Sequence, residues 1–246
     1  MLLAPIPTQA PHNWQDIEKI PIIESNEPLQ TIPNIENLKQ FPIYFDHNVA
    51  HAINICVARQ SVVQKLQQAA DLLPEHLGIV VLDAWRSRAV QQAVQDEVGD
   101  IIKIKYPNLS LIEQQQLLSQ FVAPVRSDFI SPHLTGGSVD ITLFERATGQ
   151  WLDMGADFDE PTERSYTYFY EAQPEHPACD NRRLLYTVMT QVGFSNLPTE
   201  WWHFDYGNPL WAHHNQQNHA IYGAAHWEEE SDIGNSIQAF TEPHFN

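Results

Sequence analysis

The stretch GGSVDITLF, residues 136–144, decides the fold of this chain. Val139, Ile141 and Leu143 alternate with Ser138, Asp140 and Thr142, so an extended backbone sends the first set to one face and the second to the other. The pattern predicts a strand with an apolar side and a polar one. RATGQW, 146–151, then reads as a hairpin turn into a second strand ending near Met154.

Working outward, LGIVVLDAW (77–85) is a short β-branched run that delivers Asp83, Trp85 and Arg86 at its end. SVVQKLQQAADLL (61–73) puts Val62, Val63, Leu66, Ala69, Ala70 and Leu73 on one helical stripe, with Pro74 as a stop. A second helix is expected from Ser87, keeping helical spacing through Val90, Val94, Val98 and Ile102 until Tyr106-Pro107-Asn108. Ser110 and Glu113 form a capping box before LIEQQQLLSQF, 111–121. Asp180 is placed to cap a helix through Val192, with Gly193 to end it, and TEWWHFDYG (199–207) reads as a final strand. Helices that precede and interrupt hairpin-connected strands predict an α+β fold with a small central antiparallel sheet flanked by helices. No linker, charge block or repeat divides residues 1–246, so a single domain is expected, with 1–45 an irregular N-terminal segment and 208–246 a polar C-terminal tail.

A formal charge of −18 disfavours nucleic acid, anionic lipid surfaces and polyanionic wall polymers as partners, because each needs clustered Lys and Arg. A small neutral or zwitterionic substrate suffers little net repulsion. No apolar run reaches the ~20 residues of a membrane helix, and the proline-broken N-terminus lacks the basic start of a secretory signal. The expected location is cytoplasmic. Cys56 and Cys179 are read as ordinary core residues.

Among twelve histidines, His213, His214, His219, His226 and His244 fall in the polar tail and are read as solvated. His133 and His203 stand apart. Catalytic zinc takes three ligands from His, Asp or Glu and leaves a position for water. His133 and Asp140 offer two, and the glycines between them let the His133 loop fold back over the Asp140 strand. His203 is the natural third, because Glu200 three positions before it suits a general base that sits beside the metal without binding it. A regular strand would put Glu200 and His203 on opposite faces, so a bend is predicted at Pro198-Thr199-Glu200. Taken singly, His-x6-Asp is common by chance, EWWHF also reads as a core strand, and Arg86 as half of an ion pair. Their combination is what points to metal-assisted hydrolysis.

In LDAWRS (82–87), SPHLTGGSVDITL (131–143), DMGADFDE (153–160), NRRLLYTVM (181–189) and EWWHF (200–204), the chain resembles the D-alanyl-D-alanine dipeptidases, the VanX-type zinc metallopeptidases. The resemblance implies the fold of the hedgehog/DD-peptidase type and one zinc ion (Zn2+) per chain, bound by His133, Asp140 and His203. It implies Glu200 as base and proton shuttle and Arg86 as stabiliser of the transition state, with Arg88 as a rival because AWRSR stands where YRP is commoner. Ser131 would contact the substrate and Asp159 receive its free amino group. The implied substrate is a small dipeptide, D-alanyl-D-alanine, cut in peptidoglycan metabolism. Two rivals stay open: a D,D-carboxypeptidase of the same superfamily, and a non-catalytic zinc-binding module, against which Glu200 argues.

Overall fold

The computed structural model describes residues 3–228. The chain opens with a one-turn helix α1 (Trp14–Ile17), then strands β1 (Leu29–Thr31) and β2 (Leu38–Gln40), a short helix α2 (Ile43–Asp46) and strand β3 (Val57–Arg59). Next come α3 (Gln60–Asp71), β4 (Leu77–Asp83), α4 (Arg88–Lys105), α5 (Leu111–Phe121) and the central β5 (Ser138–Glu145). The last elements are α6 (Pro177–Gln191), β6 (Ser195–Asn196), β7 (His203–Asp205) and α7 (Pro209–His214). The architecture is α+β. Five strands form the main sheet in the order β2-β4-β5-β7-β6, and β1 pairs with β3 in a small antiparallel ribbon.

All pairs in the main sheet are antiparallel except β2 with β4, a parallel edge. That strand corrects the reading of residues 1–45 as irregular: Leu38–Gln40 carries no alternating pattern, and its place comes from its partner Ile79–Val81. Alternation along β4 covers both faces of the sheet. Ile79 and Val81 join Val139, Ile141, Leu143 and Phe204 against α3 and α6, through Leu66, Leu185 and Met189. Val80 and Leu82 turn the other way, onto Val90, Val94, Val98 and Ile102 of α4. The polar side of β5 is therefore buried, Ser138, Asp140 and Thr142 being at most 2% exposed.

The helices stand close to where periodicity puts them. Ser87 caps α4, and Ser110 with Glu113 completes the capping box of α5. Two boundaries differ. α6 starts at Pro177, capped by the His176 ring, which leaves Asp180 inside its first turn; proline at the first helical position fixes the angle a helix needs. After β5 the hairpin closes, Leu152 N–H bonding Leu143 O, but only Phe144 and Trp151 form a bridge and no second strand develops. Asp153 takes the N–H of Gly155 at 2.7 Å and turns the chain away.

The expected polar tail is also corrected, because Leu210, Ala220 and Tyr222 are fully buried. Ala220 N–H and O bond Pro21 O and Ile23 N–H, tying the two ends of the described chain together. His214 is half-buried, whereas His213 and His226 are exposed, and His244 lies outside the described residues. Cys56 and Cys179 are free and buried. Among the described residues, no helix is long and apolar enough to cross a membrane.

Candidate active site

Strand register builds the centre of the site. Asp140 of β5 pairs directly with His203 of β7 and, past a bulge at Val81/Asp83, with Asp83 of β4. The three side chains form one row across the sheet. His133 reaches that row from a tight turn, His133–Thr135, closed by Gly136 at φ 69°. A side chain at Gly136 would be strained at that angle and would also meet the Leu29 side chain.

The ligand-type atoms of His133, Asp140 and His203 lie within 4.8 Å of one another, and all three residues are buried. His133 Nε2 is 3.1 Å from His203 Nδ1, and Asp140 Oδ1 is 3.0 Å from the same Nδ1. Each ring has its other nitrogen occupied. His133 Nδ1 lies 2.7 Å from Ala84 O, and His203 Nε2 lies 3.1 Å from Asp205 Oδ1. If both outer nitrogens donate, both inner ones present lone pairs to a point that Asp140 also faces. Converging acceptors with no donor among them fit a divalent cation, and two imidazoles with one carboxylate suit zinc.

Asp205 was not picked out by sequence reading. It is fully buried, and its Oδ1 also accepts from Ser138 Oγ at 2.7 Å and Asn208 Nδ2 at 2.6 Å. Its signal was available: two residues past His203 on one strand, it shares that residue's face. Without metal, Asp205 and Asp140 outweigh burial and hold the His203 imidazole well above its ordinary value, so Nδ1 carries a proton toward Asp140 that a bound cation has to displace before the lone pair is free.

The bend before β7 is where the odd offset requires it. Glu200 N–H bonds Leu197 O at 3.0 Å, and the regular strand begins only at His203. Glu200 Oε2 thereby comes 3.8 Å from His203 Nδ1, beside the ligand cluster. Burial pushes the Glu200 carboxyl well up, and Asp140 and Asp159 add to that.

Arg86 faces the same cleft. Its Nη1 donates to Tyr44 Oη at 3.0 Å, and Tyr44 Oη donates to Asp159 Oδ2 at 2.7 Å. Its Nε lies 3.3 Å from Asp83 Oδ2. Tyr44 gave no signal in the sequence, standing 115 positions from Asp159. Asp159 sits at φ 56°, and burial raises its carboxyl to about 7 against the Tyr44 bond that lowers it. Arg88 is turned elsewhere, donating to Arg126 O and Phe129 O. Ser131 is buried but is not among the residues lining the cleft; its carbonyl accepts from Leu134 N–H and starts the His133 turn. The cleft thus brings together Arg86, His133, Asp140, Asp159, Glu200 and His203, with Trp14 and Phe121 among its apolar walls.

A buried cluster of potential cation ligands flanked by a carboxylate and a guanidinium suits metal-assisted hydrolysis. Residues 46–221 match the Peptidase_M15 family model, described as D-ala-D-ala dipeptidase. The chain is 32% identical over 226 residues to the D-alanyl-D-alanine dipeptidase of Synechocystis sp., covering 81% of this chain and 90% of that one. It is 45% identical over 151 residues to the Escherichia coli D-alanyl-D-alanine dipeptidase, covering 61% and 66%. Among solved structures, VanYB in complex with D-Alanine-D-Alanine aligns with a TM-score of 0.42 and 16% identity, over 66% of this chain and 80% of that one. The chain belongs to the D-Ala-D-Ala dipeptidase family of metallopeptidases.

Proposed function

We propose that this chain is a cytoplasmic, single-domain zinc dipeptidase that hydrolyses D-alanyl-D-alanine to two D-alanines. The observation that carries the reading is the convergence of His133 Nε2, Asp140 and His203 Nδ1 on one buried point with Glu200 beside it. His133, Asp140 and His203 would hold one zinc ion, which when bound lowers the pKa of a coordinated water toward ~7 and polarises a carbonyl.

Glu200 accepts the proton of the attacking water at its carboxylate and hands it to the leaving amine. A carboxyl raised by burial and by the nearby Asp140 and Asp159 suits both transfers. Arg86, fixed by Tyr44 and Asp83, places its guanidinium where negative charge develops on the carbonyl oxygen. Asp159 pairs with the substrate's ammonium group while Tyr44 orients the carboxylate. An acylated substrate offers no charge there and leaves the buried carboxylate with the Tyr44 bond but without its cationic partner.

The test compares zinc-loaded protein on D-Ala-D-Ala and on N-acetyl-D-Ala-D-Ala. Faster turnover of the free dipeptide is expected. Preference for the acetylated compound would replace the dipeptidase by a carboxypeptidase, and zinc bound without turnover would leave a binding module.

A further inference from the structure

Gln91 stands on α4 in line with Val94 and Val98, on the face that helical spacing gives to apolar residues. It is 3% exposed and lines the active-site cleft together with Val94 and Ala123. Its Nε2 donates to Ala123 O at 3.3 Å, while its Oε1 is buried with no hydrogen-bond partner among the described residues. Reversing the amide is no remedy, because it would set the oxygen against the Ala123 carbonyl. A buried acceptor without a donor is destabilising. A leucine would fill the same helical position without that cost, so the missing donor points to what enters the cleft.

The carboxylates of the cleft already have tasks. Asp140 faces the cation site, Glu200 the reacting water and Asp159 the substrate's ammonium group. An ammonium carries three N–H donors pointing apart. Asp159 accepts Tyr44 Oη on its Oδ2, and one carboxylate approached from one side cannot meet all three. Between walls of buried side chains, an N–H left without an acceptor is costly. The cleft thus offers one unmet acceptor, and the substrate brings unmet donors.

We propose that Gln91 is a specificity-determining residue, its Oε1 accepting a second N–H of the substrate's ammonium group beside Asp159. This rests on the dipeptidase reading above. Asp159 responds to the charge of the amine, whereas Gln91 responds to its number of N–H groups. A substrate that keeps the charge but has a single N–H separates the two.

The experiment measures kcat/KM of the zinc-loaded protein on D-Ala-D-Ala and on N,N-dimethyl-D-Ala-D-Ala, whose tertiary ammonium has one N–H. The parent should prefer the primary ammonium, and Gln91→Leu should shrink that preference by about tenfold. The bulk of the two methyl groups weighs on both proteins alike and cancels in the comparison. Should Gln91→Leu fail to fold, Gln91→Met removes the same oxygen from an unbranched chain, with the same expected loss. Gln91→Glu in its neutral form can donate to Ala123 O and still accept, so it should keep most of the parent's preference. An unchanged preference in the folded Leu or Met variant overturns the proposal. So does a loss in Gln91→Glu equal to that in Gln91→Leu, since the amide would then act through Ala123 alone. A parent inert on D-Ala-D-Ala overturns the dipeptidase reading instead.

Discussion

The two sides of the cleft are built in different ways. On one side Asp140, His203 and Asp205 come from paired strands, and Ser138, Asp205 and Asn208 lock them in a fully buried network. On the other, Tyr44, Arg86, Asp159 and Trp14 come from distant parts of the chain and meet mainly through side chains. Backbone pairing fixes relative position, while side-chain contacts leave room to adjust. The sheet side is thus suited to holding a metal and the loop side to selecting what is cut. Changes on the sheet side should register in metal binding, and changes on the loop side in substrate preference.

Glu200 joins the two sides and should give the largest effect. Glu200→Gln keeps shape and removes the proton acceptor, so turnover should fall by about 10²- to 10⁴-fold while zinc content stays at the parent's level. Loss of zinc would place Glu200 on the metal side and break the comparison. Arg86→Ala should cost about 10²- to 10³-fold in turnover. It should also lower the melting temperature, because Asp83 loses the cation 3.3 Å away. Retained turnover with a lowered melting temperature would make Arg86 structural alone.

Asp205 tests the sheet side more finely. Asp205→Asn keeps an acceptor for His203 Nε2 but removes the charge, and chelator competition should report zinc held about 10- to 100-fold less tightly. The ratio of free to N-acetylated substrate turnover should not move. A shift in that ratio would mean that the sheet side also selects.

What the sequence allowed to be read divides along related lines. β5, the stripes of α3 and α4 and the α5 capping box depend on neighbours within a few positions, and each stands where local pattern puts it. The bend at Glu200 was legible from an odd offset alone. The parallel partner β2 was not, because three residues without alternation acquire strand character only from β4. Tyr44 and Trp14 were silent for a similar reason: their partners lie about a hundred positions away. Asp159 was found only through resemblance, its surroundings being set by α2 and by the end of β4.

Asp159 gives the smallest and most selective effect. Its carboxyl rises to about 7 through burial, so the folded protein favours the neutral form. A group raised in this way contributes stability below its unfolded value of about 3.9, and that contribution is lost as pH climbs through about 7. Asp159→Asn cannot ionise and escapes the loss. In metal-free protein, the melting temperature of Asp159→Asn minus that of the parent should therefore increase between pH 5 and pH 8 and then level off. With zinc present, the same variant should bind metal like the parent and lose its preference for free over N-acetylated D-Ala-D-Ala. A melting difference independent of pH would show that the carboxylate is not held at a cost, and it would remove the reason for Asp159 to demand a cationic partner. A reduced zinc affinity would instead tie this loop to the sheet side, and the division between holding and selecting would fail where it is most exposed to test.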